Sequence, residues 1–399
     1  MHVIFNQIEY VDRWNRLLSI LKEAPKATEE QYEAVQFVAD ADLEEVEVQT
    51  YGALTMAAFM EITVKQSGAV NLNRHLVSSM GQAVEGMEIK EEKSGKILFQ
   101  RGKSKARMVP LEKQVVTRVE ALPELASVSL EDLGQLLESV AFIPKEDPVA
   151  LKTMTVLQIQ EGGTKVCAYA SDGHRLAYRA LEMISPFDEG EKLCLHVNTL
   201  KQLIKFCKTS GGEGKWGRAH RRLVLTDQEI VLFVPLMDST LAFHLEQFTD
   251  MIDGEGFKHN VLVDRKKVIH ALKVCTASGR YRDKEDRQGD PVMGGLEEGQ
   301  LRLWVDGSRF SATEYIDVVE GEHTFHERER REARFQIASK NLRQALEEID
   351  TDFVNLSWNS QDAPDARLTA LHVEAHPMRE TAHLVMQSRF LGAGAEEKA

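Results

Sequence analysis

Three neighbouring residues, Ser171, Asp172 and His174, have the side-chain types of a hydrolase triad. In such a triad the nucleophile, the base and the orienting acid must point at one another. These three lie in Ser171-Asp172-Gly173-His174-Arg175, where an Asp-Gly pair between two alternating apolar runs predicts a tight hairpin. Neighbours in a tight hairpin do not converge in this way. An enzyme that uses this segment therefore ranks last among the functions that we consider.

Two other segments match catalytic motifs only in part. The run Ser210-Gly211-Gly212-Glu213-Gly214-Lys215-Trp216 lacks the four-residue gap before Gly-Lys of a phosphate loop, and its last residue replaces the required Ser or Thr. The run His323-Thr324-Phe325-His326-Glu327 does not have the His-Glu-x-x-His order of a zinc peptidase. Because no catalytic set remains, the sequence predicts a non-catalytic protein without a metal or a cofactor.

Composition is that of a globular protein, with 399 residues, 43% of them hydrophobic and 28% charged. This length suggests two to four domains. No apolar run approaches the ~18 residues of a membrane-spanning helix, and the segment from Met1 to Tyr10 lacks the features of a signal peptide. The cysteines are far apart, which argues against a disulfide framework or a cysteine zinc site and indicates a cytoplasmic location. They are Cys167, Cys194, Cys207 and Cys275.

The net charge is −14, from 49 basic and 63 acidic residues. A nucleic-acid-binding domain usually has a basic patch and a high pI, so the total charge argues against one. However, acidic residues can cover one surface while basic residues cover another. The placement of the charges is therefore more informative than their sum.

Six segments have the apolar spacing of an amphipathic helix, and they form three pairs. The first helices contain Trp14, Leu133 and Val268, and the second helices contain Leu72, Leu200 and Leu342. The steps are 119 and 135 residues in the first set and 128 and 142 in the second. The predicted helix caps are Ser129, Asn198, Asp264 and Ser339 at the start, and Gly211 and Gly279 at the end. Predicted strands lie between the helices: 166–170, 175–180, 223–225, 230–234 and 301–305.

A second marker repeats with nearly the same step. Asp172-Gly173 and Asp306-Gly307 each separate two predicted strands, and the aspartates are 134 residues apart. Thr50-Tyr51-Gly52 occupies the equivalent place in the first third. Because independent markers share one step, we predict three tandem α+β domains, each with two helices on antiparallel strands. Their ranges are 1–122, 123–254 and 255–390, and residues 391–399 are predicted to be a disordered tail.

With this organisation, the run Ala170-Ser171-Asp172-Gly173-His174-Arg175-Leu176-Ala177 resembles a hairpin in the middle domain of the bacterial DNA polymerase III beta sliding clamp. Two further segments match in the right order. The segment 97–111, with Gly102-Lys103-Ser104-Lys105, is similar to the hairpin that closes the first clamp domain, and 381–390 is similar to the C-terminal strand. The resemblance extends from Met1 to about Phe390.

The resemblance implies a homodimeric ring of six domains that encircles double-stranded DNA without regard to sequence and makes the polymerase processive. It also implies that a clamp loader opens the ring, and that polymerase, loader and repair proteins bind through short linear motifs. Their pocket maps by position onto residues of the middle hairpin and the C-terminal strands. The candidates are Met154, Ser171, Gly173, His174, Arg175, Leu176, Thr249, Leu368, Ala370, Leu384, Met386, Gln387, Ser388 and Arg389.

Several pocket positions depart from the family pattern. Gln387 and Ser388 replace the usual proline and methionine, and Thr249 and Asp253 replace the usual proline and arginine. We therefore predict a rim that is more polar and less basic than usual, with partner motifs that differ from the common glutamine-leucine-phenylalanine type.

The basic residues are sorted along the predicted helices. Lys201, Lys205 and Lys208 have helical spacing opposite an apolar stripe, and such stripes contact phosphates without reading bases. A solvated helix face explains any single stripe equally well. Arg13 and Arg16 add a smaller piece, whereas the Leu133 helix has no basic residue. The residues predicted to face DNA are Lys26, Arg74, Lys103, Lys105, Lys201, Lys205, Lys208, Lys266, Lys273, Lys340 and Arg343.

A clamp-like paralogue that acts as a protein-interaction scaffold without encircling DNA remains the alternative. The net charge and the acidic Leu133 helix would suit it.

Overall fold

The computed structural model describes residues 1–23, 34–50, 55–79, 84–111, 122–145, 147, 149–276, 291–306, 310–324, 334–359, 370–377 and 381–386. The chain divides into two compact units. Unit 1 comprises 1–141, 146–167 and 181–242, and unit 2 comprises 142–145, 168–180 and 243–399. The three-domain division with joins near Leu122 and Gly254 stays a prediction.

Unit 1 contains four helices in its described residues: α1 (Ile8–Lys22), α2 (Arg74–Ser79), α3 (Leu130–Glu138) and α4 (Val197–Ser210). Its first nine strands are β1 (His2–Phe5), β2 (Ala34–Asp40), β3 (Glu45–Thr50), β4 (Thr55–Glu61), β5 (Thr63–Gln66), β6 (Gly68–Asn73), β7 (Met87–Glu91), β8 (Ile97–Arg101) and β9 (Ser104–Met108). Its other strands are β10 (Ala126–Ser129), β11 (Met154–Gln160), β14 (Lys192–His196), β15 (Glu213–Ala219), β16 (Arg222–Thr226) and β17 (Ile230–Met237). The unit boundary falls within β12 (Lys165–Ser171) and β13 (Arg175–Glu182).

Two long antiparallel sheets organise unit 1, and β14 pairs with β11 and β17 beside them. One has the strand order β5-β1-β7-β8-β9. The other runs β10-β15-β16-β17-β4-β3-β2-β6, so strands from the first and second thirds of the chain pair directly. Helices α1 and α4 pack on each other, and α2 and α3 pack beside them as their respective partners.

Unit 2 contains α5 (Thr249–Ile252), α6 (Arg265–Cys275) and α7 (Ser339–Glu347). Its strands are β18 (His259–Asp264), β19 (Pro291–Glu297), β20 (Gln300–Asp306), β21 (Ser311–Thr324), β22 (Arg334–Ala338), β23 (Phe353–Trp358), β24 (Ala370–His376) and β25 (Thr381–Met386). The antiparallel order is β22-β19-β20-β21-β18-β23-β24-β25-β13. Helices α6 and α7 pack together and contribute Val268 and Leu342 to a core that includes Phe335 and Trp358.

The predicted apolar stripes are confirmed in five of the six helical segments. Trp14, Leu133 and Leu200 are buried on α1, α3 and α4, as are Val268 and Leu342 on the helices of unit 2. The exception is the loosest pattern. Leu72 lies on β6 and not on a helix, because the chain stays extended to Asn73 and pairs with β2 before α2 begins.

Two of the predicted helix caps are confirmed and two are wrong. The hydroxyl of Ser129 accepts a hydrogen bond from the backbone N–H of Asp132, and the Asp264 carboxylate accepts one from Lys267. In contrast, α4 begins at Val197, where the ring Nδ1 of His196 is the cap acceptor, and Ser339 is already inside α7.

The predicted helix ends, strands and hairpins agree with the structure where it describes them. Gly211 ends α4 with a φ of 61°, whereas Gly279 lies outside the described residues. The five predicted strands lie within β12, β13, β16, β17 and β20. The predicted hairpin at Gly102 joins β8 and β9. The predicted tail, 391–399, lies outside the described residues.

Candidate functional site

Three strands of unit 2 bring most of the described hairpin and C-terminal candidates together. Leu176 on β13 pairs with Leu384 on β25, which in turn pairs with His372 on β24. Directly paired residues point to the same face of a sheet, so these three side chains share one face. Ala370 lies on that same face, two residues from His372 along β24. The register thus builds an apolar floor from residues that are about 200 positions apart in sequence.

A short segment of unit 2 covers this floor. Leu176 is 5% exposed and Leu384 is 3% exposed, and α5 packs against β25. His372 Nε2 lies 3.0 Å from the carbonyl oxygen of Ile252 at the end of α5, so this nitrogen carries the proton and donates. The ring of His372 also stacks on Phe257, with 5.6 Å between centroids. The floor is therefore closed, and the backbone of Ile252 and the ring of Phe257 hold His372 beneath this cover.

Burial keeps His372 neutral. The removal of its ring from water lowers the pKa to about 4, although the hydrogen bond with Ile252 acts in the opposite direction. Sequence reasoning missed this residue, because a lone histidine in an alternating strand has no distinguishing signal. It also missed Phe243 and Phe248, whose rings are 5.8 Å apart in the chain segment that leads into α5.

The loop between β12 and β13 is organised by the Asp172 carboxylate. Its Oδ1 accepts hydrogen bonds from the backbone N–H groups of His174 and Arg175, at 3.0 and 2.9 Å. Its Oδ2 accepts from Nε and Nη2 of Arg175, at 3.1 and 2.8 Å. Burial raises the pKa of Asp172, but the hydrogen bonds and charge of Arg175 outweigh it and hold that pKa below the usual range. Asp172 thus binds Arg175 and not the ring of His174, as the argument against a triad predicts.

Arg175 connects this loop to α7. Arg175 is 4% exposed. Its guanidinium donates a hydrogen bond to the side-chain oxygen of Gln344 and lies over the ring of Phe142, 5.6 Å from the ring centroid. His383 lies on the same face of the sheet as Arg175, and its ring packs edge-on against that of Phe142 with 5.5 Å between centroids. No hydrogen-bond partner for either ring nitrogen of His383 is found among the described residues. Burial, together with the nearby His372 and Arg175, lowers the pKa of His383 to about 3.

The remaining pocket candidates lie in several different parts of the chain. Ser171 is the last residue of β12, and Gly173 and His174 lie in the β12–β13 loop, where Gly173 has a φ of 82° that favours glycine. Thr249 is the exposed first residue of α5, and Met154 is a buried residue of β11 that belongs to unit 1. The backbone of Met386 pairs with Ala370, and its side chain is outside the description. Leu368, Gln387, Ser388 and Arg389 lie outside the described residues.

The basic stripe of α4 is presented in unit 1. Lys201 is exposed and Lys205 is half-buried. Lys208 is exposed, and its ammonium group binds the carboxylate of Glu138 on α3. Since α3 packs on α4, this ion pair neutralises part of the acidic helix that departs from the basic pattern.

Unit 2 carries a second basic surface on α6 and α7. Lys273 and Lys340 are exposed. Lys266 binds Asp352 with 2.9 Å between Nζ and Oδ1, and Arg343 binds Glu347 at 3.3 Å on its own helix. Exposed pairs of this kind are weak, so both residues can exchange their carboxylate for a phosphate.

Other predicted DNA-facing residues have different surroundings. Lys103 and Lys105 are exposed on the β8–β9 hairpin at the edge of a sheet. The prediction for Arg74 has to be corrected. Arg74 is only 3% exposed, because the first turn of α2 points this residue inwards. Its charge is therefore not presented on the surface. Lys26 lies outside the described residues.

Arg13 and Arg16 of α1 form ion pairs with carboxylates of unit 1. Arg16 binds both Asp227 and Glu229, the latter at 2.7 Å, and Arg13 binds Glu229 at 3.1 Å. These carboxylates lie in the turn between β16 and β17. The two arginines therefore connect α1 to this turn within unit 1, and their contact with phosphate stays a prediction.

Metal-binding clusters, cysteines and membrane-spanning helices were also sought in the described residues. Within those residues, no group of three or more histidine, cysteine, aspartate or glutamate side chains is arranged to hold a metal ion. All four cysteines are buried, and none of them forms a disulfide bond. No described helix combines the length and the apolar character that a membrane crossing requires.

Tandem helix pairs on long antiparallel sheets define a clamp-type fold, and comparison with solved structures agrees. A DNA polymerase III beta subunit from Pseudomonas aeruginosa matches with a TM-score of 0.77 at 17% identity, over 98% of this chain and 100% of that one. A putative beta subunit from Eubacterium rectale gives 0.77 at 19% identity with the same coverage. The DNA polymerase sliding clamp from Bacillus subtilis gives 0.78 at 14% identity, over 98% and 99% of the chains.

The chain therefore has the fold of the DNA polymerase III beta sliding clamp, which confirms the fold that the sequence resemblance implied. Neither a protein-family model nor a curated protein matches the sequence.

Proposed function

We propose that this protein is a non-catalytic DNA sliding clamp: a homodimeric, six-domain ring that encircles duplex DNA and tethers a replicative polymerase. The observation that carries the proposal is the match of nearly the whole chain to clamp subunits, with 98% of this chain covered in each of the three comparisons reported above. A ring of this kind acts by topology, so it needs no catalytic group. We place it in the cytoplasm, with no membrane partner.

The exposed lysines support contact with DNA by charge. Lys201, Lys273 and Lys340 lie on helix surfaces opposite buried apolar stripes. Contacts between lysine and phosphate are independent of base sequence and weaken steeply with added salt. Such contacts suit a ring that must slide, since no base has to be released at each step.

The floor formed by Leu176, Leu384, His372 and Ala370 is the proposed docking site for short motifs of the polymerase and the clamp loader. An apolar anchor side chain, leucine or phenylalanine, would enter between the floor and α5. Because the floor is closed, the cover must move, and the four-residue α5 with the turn before it is a short element that can do so. Thr249, Asp250 and Asp253 are exposed on this cover and give the site a polar, acidic rim.

The mass in solution tests ring formation. A chain of 45.0 kDa that forms a two-subunit ring should give twice that mass by light scattering at micromolar concentration. A strictly monomeric protein under these conditions would contradict the ring.

The scaffold alternative has its own supporting observation. The net charge is −14, and among the described residues Lys208, Lys266 and Arg343 are already bound to carboxylates. A clamp-like paralogue that binds proteins without DNA would retain the dimer and the docking site. Retention on circular DNA separates the two functions.

A further inference from the structure

The segment that covers the docking floor carries charge of one sign. Residues 243–256 include α5, and they contain four carboxylates and no lysine or arginine. The acidic residues are Glu246, Asp250, Asp253 and Glu255, and all four are exposed. The rim of the docking site is therefore a local concentration of negative charge.

Three of these carboxylates belong to one turn and are not neutralised there. The backbone N–H of Glu255 donates to the carbonyl oxygen of Asp250 at 2.7 Å, and the N–H of Asp253 donates to that of Thr249 at 2.9 Å. These bonds fold the chain back on itself at the end of α5, so the backbone positions of Asp250, Asp253 and Glu255 are close together. Within the part of the chain that the structure describes, none of these three side chains forms an ion pair.

A buried hydrogen-bond acceptor lies beneath the same turn. His372 is 1% exposed, and its Nε2 carries the proton that is donated to Ile252, so its Nδ1 can only accept. No partner for this Nδ1 is found among the described residues. Gly254 lies over it, since a Cβ added to Gly254 would be 3.6 Å from Nδ1. The turn and the floor beneath it thus offer acceptors that lack donors, and a buried acceptor without a donor is unfavourable.

We propose that the docking site selects a cationic peptide, in which arginine or lysine lies next to the apolar anchor. This inference rests on the docking site proposed above and adds the chemistry of its partner. The anchor occupies the apolar floor, the basic side chains bind the carboxylates of the turn, and an N–H group of the peptide reaches Nδ1 of His372 once the cover has moved. Arginine suits the rim because its guanidinium binds a carboxylate through two parallel hydrogen bonds. The same charge disfavours acidic partners.

Three labelled peptides that share one leucine-phenylalanine anchor test the proposal by fluorescence anisotropy at low ionic strength. Beside the anchor they carry two arginines, two glutamines or two glutamates. The variant is D250N/E255Q, which removes two carboxylates of the rim and keeps the size of both side chains. The matched control is D42N/E44Q, which removes the same charge from the exposed turn between β2 and β3 in unit 1.

The unaltered protein should bind the arginine peptide about fivefold more tightly than the glutamine peptide, because exposed ion pairs each add a modest attraction, and it should bind the glutamate peptide most weakly. This preference should fall to about twofold in D250N/E255Q and persist in D42N/E44Q.

Equal affinity for the arginine and glutamine peptides would overturn this inference and leave the docking site in place. Equal losses of preference in the two variants would do the same, since they would show a general attraction to an acidic protein. No binding of any peptide would overturn the docking site and this inference with it. The solution mass and DNA retention test the ring independently of all three results.

Discussion

The Asp172 carboxylate accepts hydrogen bonds from both the backbone and the guanidinium of Arg175. The same arginine reaches Gln344 on α7. One residue of the β12–β13 loop thus ties that loop to a helix that carries part of the proposed DNA-contacting surface. This relationship places the docking site and a basic helix in one connected network within unit 2.

Replacement of Asp172 by asparagine should destabilise the protein. The Arg175 side chain is 3% exposed and would lose the negative charge of its partner Asp172. Loss of one partner from a buried ion pair costs about 3–5 kcal/mol, and we expect about 2–3 kcal/mol here because Asp172 is partly exposed. Urea denaturation of D172N gives this value. The control D306N changes the exposed aspartate of the repeated Asp-Gly marker, and equal effects of the two changes would contradict the account.

Stability should fall as the pH drops below about 6.5. The folded-state pKa values of His372 and His383, about 4 and about 3, are below the ordinary value of 6.5. The unfolded chain therefore takes up protons first, and each histidine reduces the free energy of unfolding by about 1–2 kcal/mol between pH 6.5 and pH 5. The lowered pKa of Asp172 acts at lower pH, because its contribution is lost only below about 3.8.

Denaturation of H383L at pH 7 and pH 5 isolates the histidine contribution. Its loss of stability between the two values should be smaller than that of the unaltered protein. H244Q is the control, since the side chain of His244 is 73% exposed. A pH dependence that is identical in H383L and in the unaltered protein would show that His383 does not titrate as proposed.

The sequence was sufficient to predict the elements with a strong local signal. The apolar stripes of the helices that contain Trp14, Leu133 and Val268 follow from the spacing of nearby apolar residues. The hairpin at Gly173 follows from an Asp-Gly pair whose glycine adopts a positive φ. Both signals are local in the sequence. The partners of Arg13 and Arg16 could not be predicted, because Asp227 and Glu229 are more than 200 positions away in the chain. Burial of Arg74 likewise depends on where β6 ends.

Removal of charge from α4 should weaken retention on DNA. The double variant K201Q/K205Q removes two lysines that are not involved in the Glu138 ion pair. If both contact phosphates, the slope of log K against log salt should decrease by about 2, irrespective of DNA sequence. Binding measured by fluorescence anisotropy at several salt concentrations gives the slope. K215Q, on the exposed side of β15, is the matched control, and an unchanged slope in the double variant would identify the α4 stripe as a solvated face.

Truncation of the docking floor should abolish peptide binding. The variant L176A shortens a residue that pairs with Leu384 on the proposed floor, and the probe is a synthetic peptide with a leucine-phenylalanine pair. Because Leu176 is buried, L176A also costs about 2–5 kcal/mol of stability, so thermal unfolding must first show that the variant is folded. Unchanged peptide affinity in a folded variant would remove Leu176 from the site.

Retention on circular DNA tests the proposed clamp most directly. The protein is loaded onto a closed circular duplex by a clamp loader, and the DNA is then separated from free protein by gel filtration before and after a single cut. We predict that the protein stays with the closed circle and is released once the circle is linear, because a ring is held by topology. Equal retention on closed and cut DNA, or none on either, would contradict encirclement.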